Sequence, residues 1–233
     1  MRLLTTICAA ALAACSSGDA APARVSSDAN PVVVELYQSQ GCSSCPPANA
    51  NLNAVAGQPG VLALSFAVTY WDQLGWKDNF ARPEYTRRQW DYANSSARGR
   101  VYTPQVIVNG KAMMLGGDKA HFARLIAAGG PVGGPSIDVA GDAVAIGQAT
   151  AATSATVWLV RYDPRVRNVA IRAGENGGRT LPHRNIVTEL RALGRWTGKP
   201  KRFTIAPSAD TAIRGAIIVQ QGIGGPIIAA RRI

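Results

Sequence analysis

Two consecutive prolines, Pro46 and Pro47, stand directly behind two cysteines in the stretch YQSQGCSSCPPANA (Tyr37–Ala50). Neither proline has an N–H, so both fit only in the first turn of a helix, where those donors have no intrahelical partner. The spacing predicts a helix that begins at Pro46 or Pro47, leaving Cys45 near its cap and Gly41–Ser44 as a turn. Upstream, PVVVELY (Pro31–Tyr37) is a nearly continuous apolar run with β-branched residues, the pattern of a strand covered on both faces. A strand, a turn carrying two thiols and a helix follow one another within about twenty-five residues. In open sheets, functional groups collect at such strand ends.

The punctuation downstream extends this unit. The first helix stops at Gly57, and VLALSFAV (Val61–Val68) reads as a second buried strand. RPEYTRRQWDYANS (Arg82–Ser95) opens with a proline and has helical periodicity. TPQVIVNGKAMML places Asn109-Gly110 between two apolar runs, a strong hairpin signal. Asp118 is a suitable N-cap for a last helix to Ala128, stopped by Gly129-Gly130. Residues 31–130 are thus expected to fold as β-α-β-α-β-β-α: a mixed sheet with two parallel crossovers, a final antiparallel pair, and helices on both faces.

GGPVGGP (Gly129–Pro135) marks a compositional break. Beyond it SIDVAGDAVAIG, ATVWLVRYD, VRNVAIRAG, KRFTIAP, AIRGAIIVQQ and PIIAARRI read as short strands, and His183–Trp196 is read as a long one. That spacing predicts a separate antiparallel β-sandwich-like domain over residues 131–233. This half carries fourteen Lys/Arg against six Asp/Glu, most of the net charge of +11. It reads as a solvated arginine-rich face or as a surface for anionic envelope lipid, not for nucleic acid. GENGGR (Gly174–Arg179) reads as an ordinary glycine-rich hairpin loop.

At the other end, Arg2 precedes an apolar run, Leu3–Ala14, too short to span a bilayer. Residues 1–14 are read as a secretory signal. The run ends in L-A-A-C and resembles a bacterial lipoprotein signal, which implies cleavage before Cys15 and acylation of that cysteine; plain cleavage near Ala14 would give a soluble secreted protein. Of the four cysteines, Cys8 would leave with the signal and Cys15 would carry lipid, so Cys42 and Cys45 have only each other. Export brings an oxidising compartment, where disulfides persist. Residues 15–30, rich in Ser, Ala and Pro, are read as a flexible tether. The expected location is the bacterial cell envelope, lipid-anchored and facing the periplasm.

The element order of residues 31–130, with C-S-S-C at the strand-to-helix turn, resembles the thioredoxin fold. That resemblance implies a cis-proline facing the disulfide, at Thr103-Pro104. Across the mature chain VVELYQSQGCSSCPPA, YWDQLGWKD, VYTPQVIVNG and RAGENGGRTLPHRNIV resemble a family of secreted bacterial thioredoxin-like proteins classed as a domain of unknown function. The family has no established activity, so the resemblance implies architecture more than chemistry. Its F-H-V-D-Y-W-D pattern is FAVTYWD here, with Ala67 and Thr69 at the His and Asp positions.

What the cysteine pair does follows from elimination and position. A C-x-x-C disulfide closes so short a loop that its stabilisation falls below the ~3 kcal/mol of a fifteen-residue loop, so it is a poor staple. Zinc wants four ligands, and the chain holds only His121 and His183 besides the pair. Cu(I) needs fewer, and Met113 or Met114 are candidates, although core packing suits both. Redox exchange uses the position best: Cys42 is expected to be exposed at the helix start as the attacking sulfur, with Cys45 as the resolving thiol. Gly41 would allow close approach by a substrate chain, Thr103-Pro104 would hold it, and Trp71 and Trp76 would either form an apolar wall for it or cap the core. The expected function is an envelope thiol–disulfide oxidoreductase acting on protein or peptide thiols with an unidentified electron partner and no cofactor or metal. The alternative is a non-enzymatic lipoprotein that binds Cu(I) or keeps a static disulfide.

Overall fold

The computed structural model describes residues 28–96, 99–150 and 154–233. Residues 1–27, which hold the expected signal, Cys15 and most of the expected tether, lie outside them. Its framework is one eight-stranded mixed sheet to which both halves of the chain contribute.

β1 (Val32–Gln38) pairs in parallel with β2 (Val61–Ala67), joined by α1 (Cys45–Val55). All seven residues of β1 and all seven of β2 are buried. The pleat sends Val33 and Tyr37 to one face, and Val32, Val34 and Leu36 to the other. α1 and α3 (Lys119–Gly129) cover the second face through Ala48, Leu52 and Phe122. α2 (Pro83–Ser95) covers the first, where Tyr85 meets Phe66 edge-on and Phe66 stacks on Tyr37 with ring centroids 5.2 Å apart. β3 (Gln105–Val108) and β4 (Ala112–Leu115) form the expected hairpin, with Asn109 and Gly110 both at positive φ. Asp118 caps α3, accepting from the His121 N–H at 2.8 Å.

Two expectations are corrected. β3 lies antiparallel to β1, so the second α-helical connection is not a parallel crossover. The segments flanking α2 are long enough to return the chain to either end of the sheet, and element order alone does not choose. The second half, moreover, does not stand apart. β7 (Ala155–Asp163), β10 (Ile186–Trp196), β12 (Arg214–Gln221) and β13 (Ile227–Arg232) extend the first half's sheet in the order β13-β12-β7-β10-β2-β1-β3-β4. β12 is buried over six successive residues, the signature of a strand covered on both sides. On one side lies a three-stranded sheet of β5 (Ile137–Ala140), β6 (Ala143–Ile146) and β11 (Lys201–Thr204), packed through Val144, Ile146 and Trp196. On the other lies the α2 layer.

Two of the places where the halves join lie in the sheet and its core. β10 meets β2 in parallel at Ile186 and Ser65, and the Asn185 side chain donates to the carbonyls of Ala56 and Ala63. Deeper in, the buried Glu35 of β1 accepts from Arg88 Nε at 2.9 Å and from the Tyr92 hydroxyl, while Arg88 Nη1 donates to Gln220 Oε1 of β12 at 2.9 Å. A buried charge is tolerated only when paired and hydrogen-bonded, and here the Glu35–Arg88 pair of the first half is completed by Gln220 of the second.

One element stands off the main sheet. β8 (Arg167–Ala170) and β9 (Thr180–His183) pair only with each other, and the GENGGR loop is their tip.

Candidate functional site

Cys42 and Cys45 are joined as a disulfide with Cα atoms 5.4 Å apart. Cys45 opens α1, with Ser44 as N-cap and proline in the first turn, one residue earlier than expected. The turn before it is held from inside: the Cys42 N–H donates to the Ser39 carbonyl, and the Cys45 N–H to that of Cys42. The Ser44 hydroxyl lies 3.3 Å from Cys42 Sγ and 3.5 Å from the Thr103 carbonyl oxygen, so its one proton is shared between two acceptors. The Thr103-Pro104 peptide bond is cis. Trp71 Nε1 donates to Thr103 Oγ1 at 2.8 Å and so ties the loop after β2 to this bond.

Trp76 braces the other flank, donating from Nε1 to Gln40 Oε1 at 2.9 Å. The Gln40 N–H donates to Asp78 Oδ2 at 2.8 Å. Asp78 is buried, and burial pushes its carboxyl up to about 6 against the pull of the Gln40, Phe80 and Ala81 N–H groups. Gly41 is buried too. A Cβ there would stand 3.6–3.9 Å from Ser39 Oγ, Trp71 and the Trp76 carbonyl, ordinary contact distances, so the space beside Gly41 is lined by its own chain.

Cys42 departs from expectation most sharply: neither cysteine exposes any surface, although Ser43 and Ser44 between them are exposed. The turn is packed from two sides, by Ser44 with the Thr103 carbonyl and by a segment more than 130 residues away. The tip of the β8–β9 ribbon lies across the turn. Asn176, itself fully buried, donates from Nδ2 to the carbonyls of Gln40 (2.9 Å) and Cys42 (2.8 Å). Glu175 accepts the Ser43 N–H at 3.0 Å, and its hydrogen bonds with Ser43 hold the carboxyl below the usual range. Arg179 Nη1 fixes Asn176 Oδ1 at 2.7 Å. Gly174, at φ +71°, leaves 3.2 Å between a hypothetical Cβ and that of Trp76, so the ribbon lies tight against this indole's backbone. Glu175 and Asn176 are the site residues that reading the sequence missed; GENGGR was visible as a motif, but its target was not.

His183 makes no hydrogen bond to the cysteines. It is buried, its ring meets Phe80 edge-on at 5.9 Å, and neither ring nitrogen has a hydrogen-bond partner. Burial holds it down at about 4. Met114 packs beside Val106 and Leu52, and Met113 Sδ lies 3.6 Å from Gln105 Nε2, so both thioethers are engaged in packing. Among the described residues no three of His, Cys, Asp or Glu gather as metal ligands, and no helix is long and apolar enough to cross a membrane. A cavity of about 660 Å³, with Leu159 and Ile205 in its lining and Arg161 and Arg214 beside them, lies in the second half and includes no residue of the cysteine site.

Comparison with known proteins agrees with this architecture. A family model described as "Protein of unknown function (DUF1223)" matches residues 33–220. The X-ray crystal structure of protein AGR_C_4864 from Agrobacterium tumefaciens is similar over 87% of this chain and 93% of that one, at 31% identity and a TM-score of 0.72. HBP35 of Porphyromonas gingivalis is similar over 88% of this chain and 75% of that one, with a TM-score of 0.59 but 12% identity, a likeness of fold alone. No curated protein matches.

Proposed function

The chain belongs to the DUF1223 family of proteins of unknown function, and on that premise we propose that it is a thiol–disulfide oxidoreductase of the bacterial envelope, exported by its signal and anchored through Cys15. One observation carries the reading: the Cys42–Cys45 disulfide stands at a strand-to-helix turn, and Ser44 bridges it to the carbonyl beside the cis Thr103-Pro104 bond. We read residues 31–130 as a thioredoxin-like unit on the same ground, together with the β2-β1-β3-β4 order.

The chemistry needs no cofactor. A substrate thiolate attacks Cys42 Sγ, the Cys42–Cys45 bond breaks, and Cys45 leaves as a thiolate that takes a proton from solvent. A second substrate thiolate then attacks the substrate sulfur of the mixed disulfide and releases Cys42. The substrate loses two electrons and two protons and gains a disulfide; the pair gains both. The steps reverse when the pair starts reduced, and about 30 mV of potential difference is worth 1.4 kcal/mol in choosing direction. Ser44, whose proton reaches Cys42 Sγ, is positioned to stabilise the Cys42 thiolate when it is released. Thr103 and the cis-proline offer main chain to an extended substrate, with Trp71 and Trp76 behind them.

A Cys45→Ser variant tests this. Expressed in the envelope, it should accumulate mixed disulfides through Cys42 that a Cys42→Ser/Cys45→Ser variant does not. A static disulfide is the competing reading, favoured by the complete burial of both cysteines. It predicts no adducts, and their absence would sink the proposal.

A further inference from the structure

We infer that the β8–β9 ribbon is a gate on the Cys42–Cys45 disulfide, and that Glu175 and Asn176 decide which thiols pass it. The inference rests on the redox reading above for its purpose, but not for its existence.

The pair is buried while the two serines between its cysteines are exposed. The contacts recorded across the turn from outside the first half come from Glu175 and Asn176, at the tip of a ribbon that is a separate mechanical part. β8 and β9 hydrogen-bond to each other and to no strand of either larger sheet. The tip is self-contained: Ile171 and Arg179 pair across its neck, and the Gly178 N–H returns to the Ile171 carbonyl. It can therefore lift as a unit without breaking the eight-stranded sheet. What the tip must break at the turn is two bonds from Asn176 Nδ2, one to Glu175 and the packing of Gly174 against Trp76, while the arms stay seated through the Asn53 bond to the Pro182 carbonyl and His183 against Phe80.

Those contacts also say what displaces it. The strap supplies donors to the Gln40 and Cys42 carbonyls and an acceptor to the Ser43 N–H. An extended polypeptide carries both kinds of group on its main chain, so a cysteine-bearing peptide can replace the strap bond for bond. A small dithiol cannot, and must wait for spontaneous opening. Glu175 adds a second effect. While docked, its carboxylate takes the Ser43 N–H and sets a negative charge beside the turn, which disfavours a thiolate at Cys42.

The test uses the full mature chain. The rate of reduction of the disulfide by dithiothreitol is measured for wild type, Glu175→Ala and Glu175→Ala/Asn176→Ala, by alkylating the released thiols and weighing the products. The gate predicts at least a tenfold acceleration in the double variant and a smaller one in the single. Glu175 is exposed and its replacement leaves both Asn176 bonds in place, so the single variant tests the gate even if removing Asn176 unsettles the ribbon. Equal rates in all three proteins overturn the gate. Acceleration without any exchange onto a reduced cysteine peptide leaves the gate standing and removes the oxidoreductase reading. Exchange onto the peptide with equal dithiothreitol rates does the reverse.

Discussion

Substituting His183 with Phe should change how stability responds to acid, and the size of the change follows from two buried groups that oppose each other. His183 is held at about 4 by burial, against about 6.5 for a free imidazole. Between those values the unfolded chain binds a proton that the native one refuses, so stability falls as pH drops from about 6.5 to about 4. At 1.36 kcal/mol per pKa unit, the 2.5-unit gap amounts to about 3 kcal/mol. Asp78 works the other way. Its native carboxyl is raised from 3.8 to about 6, so it takes up a proton before its unfolded counterpart does and adds stability on acidification, again about 3 kcal/mol. The wild-type contributions nearly cancel between pH 6.5 and 4. In His183→Phe only the Asp78 term remains, and the variant should gain about 3 kcal/mol relative to wild type between pH 7 and pH 4. Any packing cost of the new ring is independent of pH and drops out of that comparison. Urea unfolding followed by tryptophan fluorescence at pH 4, 5, 6 and 7 measures it. Parallel stability curves for the two proteins would refute the reasoning, because they would mean that His183 titrates alike in both states.

Other consequences are open to the same kind of measurement. Arg88→Met leaves Glu35 buried without its cation and should cost about 3–5 kcal/mol, whereas Glu35→Leu/Arg88→Met should recover most of that loss; urea midpoints of both variants decide it. Asn109→Ala removes the acceptor of the Val33 N–H and the donor to the Gly129 and Gly130 carbonyls, at a positive-φ position, and should lower stability by about 2–3 kcal/mol in the same assay.

What could be read from the sequence was local. Pro46 and Pro47 announced the helix behind the cysteines because a missing N–H can be accommodated at few places. Asn109-Gly110 announced its hairpin because few dipeptides take positive φ twice in succession. Asp118 announced its helix because a short acceptor side chain is what an N-terminus lacks. What could not be read depends on partners distant in the chain. β3 runs antiparallel to β1 through a connection whose length permits either direction. β10 reaches β2 through a single bridge at Ile186, which no periodicity announces. The Cys42 carbonyl accepts from Asn176, 134 residues downstream, and a main-chain acceptor carries no sequence signature at all. The helix-start position of the pair was legible, and its exposure was not, because burial belongs to the whole chain.

The junction of β10 with β2 reaches beyond architecture. In a free-standing first half, β2 would be an outermost strand, with apolar side chains on both faces and its hydrogen-bonding rim open to any neighbouring molecule. Ile186 and Asn185 occupy that rim at Ser65 and Ala63, and three residues before Ile186 the same stretch of chain is β9, the return arm of the ribbon whose tip bonds the cysteine turn. Guarding the sheet against sticky encounters and bracing the cysteine turn are thus tasks of one continuous segment, so neither can be altered by a shift in chain register there without disturbing the other.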